Sequence, residues 1–201
     1  MKGMMAISII ILLTVGCSSS NRSIDDLYEW LNDEGNGLLV SKSIGDVEFE
    51  VKYLPPSILA FREMDGPGTQ EALDSLTQFY SNQESFILTI KSSSSERDIV
   101  YRDVQDHQDY NQRINDLSFN LRNLIILKTT SGEFTPSLYH YERSYSLNKS
   151  NSIILVFADD GRGIVKSDTL DLVIQDEIFN TGINHFVFRR GDIQRIPRLD
   201  I

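Results

Sequence analysis

The chain has 201 residues, with 29 Asp and Glu against 19 Lys and Arg, a formal net charge of −10. Such a charge argues against nucleic acid as a partner, because phosphate contacts need a basic face. With 40% apolar residues and ten phenylalanines, the composition is that of a folding chain, not a disordered one.

The first stretch reads Met1-Lys2-Gly3, an apolar run from Met4 to Val15, then Gly16-Cys17-Ser18-Ser19-Ser20. A basic start, a short apolar middle and a small residue before the cut are the layout of a secretory signal. The run is too short to span a bilayer, which takes roughly 20 residues. The segment Leu13-Thr14-Val15-Gly16-Cys17 resembles the lipobox of bacterial lipoproteins. The resemblance implies cleavage before Cys17 and a covalent lipid on Cys17. Because Ser18 and not aspartate follows, it also implies residence in the outer membrane, facing the periplasm. Cys17 is the only cysteine, so lipidation accounts for an odd thiol in an exported chain and leaves no internal disulfide.

The organisation expected is therefore a signal peptide (1–16), a lipidated cysteine with a short tether (17–23) and one globular domain (24–201). Taking Lys2 from the 19 basic residues leaves 18 against 29 acidic, a net charge of −11 for the processed chain. Anionic lipid repels such a domain, so attachment to the membrane rests on the acyl chains.

After the tether, Ser23 and Asp26 form a capping-box pattern, and Ile24, Leu27, Tyr28 and Leu31 follow at helical spacing. Trp30 flanks that stripe, where it docks the helix on a core or stacks on a ligand. Gly45-Asp46 separates two apolar runs as a hairpin turn; Val47, Phe49, Val51 and Tyr53 alternate with charge as a half-buried strand. Pro55-Pro56 ends that strand, and Ser57 to Met64 forms one or two helical turns. Thr69 caps a helix through Tyr80. Glu84 to Lys91 reads as a strand with Phe86, Leu88 and Ile90 on one face, and 97–102 as a short strand. Tyr110, Ile114, Leu117 and Leu121 are helically spaced, with a change to strand expected near Leu117. The remainder reads as strands with polar turns at 148–151 and Asp159–Gly163, which predicts an antiparallel meander. The fold class expected is α+β: a β-rich single domain, mainly antiparallel sheet or sandwich, with two or three covering helices.

Motifs that carry chemistry are sparse. There are three histidines, His107, His140 and His185, and none belongs to a His-Glu-x-x-His motif. His140 and Glu142 share a strand face, geometry for a metal or a proton-transfer pair, or for a solvated outer face. Asp103, Asp106 and Asp109 surround a helix start, which suits the helix dipole without a metal. Ser146-Leu147-Asn148-Lys149 matches a Ser-x-x-Lys spelling without its companion motifs. No Walker loop and no nucleophile elbow is present. Tyr139, Tyr141 and Tyr145 fall on the other face of the same run, as a core stripe or as an aromatic platform for a glycan or partner. Arg195 and Arg198 belong to a local basic excess that suits lipid headgroups, an acidic partner or a guarded strand edge.

The expectation is a lipid-anchored envelope protein with a non-enzymatic binding or assembly role, held to the membrane by its lipid and facing a protein partner. A hydrolase of envelope polymers, or capture of a glycan, are the competing expectations. No cofactor beyond the lipid on Cys17 is implied. Replacing Cys17 by Ala is predicted to move the chain out of the membrane fraction on sedimentation of lysed cells; a variant that still pellets like wild type contradicts lipidation.

Overall fold

Alternation with a period of two sorts each strand into two faces, and each strand buries the apolar one. The computed structural model describes residues 23–64, 66, 68–94, 97–142 and 150–201. Its strands in chain order are β1 (Leu39–Ile44), β2 (Val47–Tyr53), β3 (Gln83–Ser92), β4 (Ile125–Thr129), β5 (Gly132–Phe134), β6 (Leu138–Glu142), β7 (Ser150–Ala158), β8 (Thr169–Asp176) and β9 (Gly182–Arg189). They form a five-stranded sheet, β1-β2-β3-β7-β6, and a four-stranded sheet, β5-β4-β8-β9. Every pairing is antiparallel.

The inner faces meet as a sandwich. Phe49 of β2, Phe86 of β3 and Phe157 of β7 are buried on one side, and Leu172 of β8 with Phe186 and Phe188 of β9 on the other. Ring centroids of Phe86 and Phe188 are 5.1 Å apart, and those of Phe49 and Phe186 are 6.3 Å apart, both across the two sheets. Such pairs contribute about 0.5–1.5 kcal/mol each beyond the area they bury. With no described disulfide, packing of this kind carries the stability of the single α+β domain.

Helices cover the sandwich. In α1 (Ile24–Asn32), Ser23 and Asp26 make the reciprocal capping box, Leu27 and Leu31 are buried, and Trp30 packs against the core. α2 (Pro56–Glu63) starts with proline at a position whose amide needs no partner, and it packs on α3 (Gln70–Tyr80), capped by Thr69. α4 (His107–Asn115) is capped by Asp106, and the short α5 (Arg190–Ile193) follows β9 directly.

Four details differ from the sequence reading. Residues 97–102 form a 3-10 turn at Ile99–Tyr101, not a strand; Asp98 caps it through Val100 N, and Ile99 and Val100 are both buried, which alternation forbids. The change from helix to strand comes at Ile125, because α4 runs on through a π turn, Asp116–Asn120, and a 3-10 turn, Leu121–Leu124, that keep Leu117 and Leu121 inward one turn apart. Asp159–Gly163 is no hairpin but part of a crossover from β7 to β8, shaped by Asp159 Oδ1 accepting from the amides of Gly161 and Gly163. At 148–151, residues 150 and 151 already belong to β7, and the others lie outside the described residues. The chain is consequently not a plain meander. It leaves the first sheet after β3, lays down β4 and β5, returns for β6 and β7, and finishes with β8 and β9.

One end of the sandwich is closed by charge. Glu84 stands in phase with Phe86 on the inner face of β3 and is 1% exposed. Arg190, one residue beyond β9, donates Nη2 to Glu84 Oε1 at 2.7 Å, Nε to the Ser167 carbonyl and Nη2 to the Ile164 carbonyl. Burial raises the Glu84 pKa, and the charge and hydrogen bond of Arg190 pull it back. Glu84 Oε2 makes no hydrogen bond of good geometry. The neighbouring Tyr53 phenol is held well above the usual range, first by burial and then by the Glu84 charge.

Removing one partner of a buried pair costs about 3–5 kcal/mol, because the other charge is left uncompensated. Arg190→Met should lower the unfolding free energy by that order in urea denaturation. A carboxyl whose folded pKa is raised takes up a proton on folding, so its contribution is complete below the unfolded value, near 4.5, and is lost as pH rises through the folded pKa. Without Arg190 the Glu84 pKa rises further, so the destabilisation should be smaller at pH 5 than at pH 7. Equal losses at both would show that Glu84 does not carry the effect.

Candidate functional site

Strand β6 presents four of the side chains that the sequence singles out. Tyr139 and Tyr141 pack against the core, while His140 and Glu142 are exposed on the opposite face. The Tyr139 hydroxyl donates to the Leu117 carbonyl, and its pKa is raised by burial first and by Tyr141 second. The Tyr141 hydroxyl donates to Asn151 Oδ1 at 2.6 Å, and the buried Asn151 donates in turn to Asp98 Oδ1 at 2.6 Å. These bonds commit the two tyrosines to holding β6 and the 97–102 segment in place. Tyr145, Cys17 and the Ser146–Lys149 pair lie outside the described residues.

No third group among the described residues joins His140 and Glu142. Among the described residues, no set of three or more His, Cys, Asp or Glu is placed to hold a metal ion. His185 has a better-defined partner, its Nδ1 lying 2.8 Å from Asp171 Oδ2 on the outer face of the second sheet. No hydroxyl or thiol among the described residues bonds its other ring nitrogen. The pair orients an imidazole without activating a nucleophile.

The C-terminal arginines are each matched by an acid. Arg195 reaches Asp192 at 2.6 Å and Arg198 reaches Asp74 at 2.8 Å, and all but Asp192 are more than half exposed. Exposed pairs of this kind contribute about 0–1 kcal/mol. The Arg198–Asp74 bridge lies on the rim of a cleft of about 270 Å³, whose lining includes Pro55, Leu73, Ile193, Ile196 and Pro197.

Two further clefts flank α4. One, of about 400 Å³, is lined by Tyr101, Tyr110, Asp106 and His107; the Tyr101 ring is stacked on Tyr110 at 5.2 Å and also lies 5.6 Å from the Arg97 guanidinium. Tyr101 stays exposed beside these contacts, and Asp106 accepts from the amides of Gln108 and Asp109 as the cap of α4. The other, of about 510 Å³, is acidic, with Asp103, Asp109, Asp116 and Glu177 around Arg113. Arg113 lies 4.8 Å over the Phe179 ring, and burial lowers its pKa.

The sequence reading passed over the Glu84–Arg190 pair, although a signal was present. Glu84 shares its phase with Phe86, Leu88 and Ile90, and Arg190 shares its phase with Phe186 and Phe188, so each places a charge on an apolar face. A buried acid with a raised pKa is one mark of an active site. Glu84, however, lines none of the three clefts and is sealed from water, so it serves as a structural tie.

Fold and sites together define the class as a two-sheet α+β sandwich without an assembled catalytic set among its described residues. No protein-family model matches the chain, and no curated protein or solved structure matches it either.

The two faces of β6 should separate in a mutational test. Tyr141→Phe leaves buried Asn151 without its donor and should cost about 1–2 kcal/mol, read from chemical denaturation. His140→Ala and Glu142→Ala should each stay within roughly 0.5 kcal/mol of wild type. A reversed order would place the working face of β6 on its exposed side.

Proposed function

We propose that the protein is a lipid-anchored envelope protein whose folded domain binds a partner protein, or aids assembly of an envelope complex, close to the membrane. The observation that carries this reading is Cys17, the only cysteine, directly after the apolar run Met4–Val15 and Gly16. The capping box at Ser23 supports it from the side of the fold. Helix α1 is capped at Ser23, and Ser23 follows Cys17 closely in the sequence, so few residues separate the anchor from the domain. At ~3.3–3.6 Å per extended residue that connection reaches on the order of 20 Å. Work at so short a range suits an assembly or docking role near the surface.

Recovery of the native chain from detergent-solubilised envelopes tests the reading. The expected outcome is fractionation with membranes and co-recovery of one reproducible envelope protein in near-stoichiometric amount. Recovery alone contradicts a partner role. Turnover of envelope polymer by the purified chain, abolished by His140→Ala with folding intact, would replace it with an enzyme.

A further inference from the structure

Of the strands that end the two sheets, β9 is the longest, and its one exposed formal charge is Arg189 at its end. β5 has three residues, β6 has five and carries exposed Glu142, and β1 has six with Lys42 exposed. β9 has eight, pairs only with β8 among the described residues, and exposes Ile183 (65%) and Val187 (47%). Natural edges are normally shortened, bulged or charged, because an open row of backbone groups templates pairing with another chain.

The backbone phase of that edge follows from one bond. Arg190 N donates to the Asp168 carbonyl at 2.8 Å, continuing the register in which Arg189 faces Thr169 and Phe188 faces Leu170. In an antiparallel ladder, bonded and non-bonded pairs alternate. Asn184, Phe186 and Phe188 therefore share the bonded phase of Arg190 and direct their amides and carbonyls to β8. Ile183, His185 and Val187 direct theirs to the free side. The exposed side chains and the unpaired backbone groups thus belong to the same residues.

We infer that β9 is a self-association edge, which pairs antiparallel with β9 of a second copy about a two-fold axis at His185. The numbering makes this register self-complementary. Ile183 lies opposite Val187 of the other copy at both ends of the contact, His185 meets its own equivalent, and Arg189 meets Thr181. Registers shifted by two residues keep the backbone phase but place Ile183 or Val187 opposite His185. Only the register centred on His185 pairs the two exposed apolar residues with each other and keeps Arg189 away from a like charge. Asp171 holds His185 Nδ1 at 2.8 Å on its own sheet, which draws each imidazole back from the axis. The contact is isologous and closes at two copies, joining two four-stranded sheets into one of eight. It does not depend on the anchored-binding reading above.

Light scattering coupled to size exclusion, on the full chain in detergent, reads the stoichiometry. The expected mass is that of two protein chains, and Ile183→Lys with Val187→Lys, which opposes like charges across the axis, should weaken dimerisation by tenfold or more while far-UV circular dichroism is unchanged. Cysteine pairing reads the register, with wild type as control for Cys17. His185→Cys should crosslink two copies under mild oxidation, Ile183→Cys alone should not, and the Ile183→Cys, Val187→Cys double variant should. A monomer at all accessible concentrations overturns the inference and leaves the edge to a different strand. A dimer that survives the lysine variant, or crosslinks without regard to position, overturns it equally.

Discussion

The buried pair between Glu84 and Arg190 is the constraint on which the rest of the molecule turns. It ties β3, at the centre of one sheet, to the end of β9 in the other, and it does so in the core, where Glu84 is 1% exposed. An apolar pair in its place would cost little, because both ions lose their hydration on burial. What it does supply is register. Sliding β9 by one residue would carry Arg190 out of reach of Glu84 and turn Phe186 and Phe188 from the core to water. The pair therefore sets which residues of β9 look inward, and by the same step which backbone groups look outward.

Much of this was legible from residues. The capping box at Ser23, the cap at Thr69, the turn at Gly45-Asp46 and the inward set Val47, Phe49, Val51 and Tyr53 are local patterns, and the structure repeats them. The α+β class followed from counting them. Partnership between distant strands was less legible. Nothing in the spacing of β4 and β5 tells a reader that the chain has changed sheets, since both sheets bury the same kinds of residue with the same period. The 97–102 segment misled because Ile99 and Val100 look like strand residues, whereas Asp98 bonds the local backbone and Asn151 together. The buried pair was legible only as two misplaced charges, and its meaning required knowing that they meet.

The site is a different matter. Charged and aromatic side chains on β6 were visible in the sequence, but their division into a packed face and a bare face leaves His140 and Glu142 without companions among the described residues. The clefts among the described residues hold no convergent set of reacting groups. The two proposals rest instead on two margins: a leader that resembles a lipobox, and an edge strand that exposes Ile183 and Val187 on either side of His185. Anchoring, as proposed, would confine copies to a surface and raise their effective concentration, so that a weak edge contact could be populated. The acidic body, repelled by anionic lipid, would keep its faces clear for that contact.

The account stands or falls on the phase of β9, and residue-resolved amide exchange measures it directly. In dilute protein, the amides of Asn184, Phe186 and Phe188 should be protected by their bonds to β8, while those of Ile183, His185 and Val187 exchange at rates near those of an open chain. On concentration the second set should gain protection and the first should not change. Protection of Ile183, His185 and Val187 in dilute protein, or its absence at Phe186 and Phe188, would contradict both the register and the role of the buried pair that sets it.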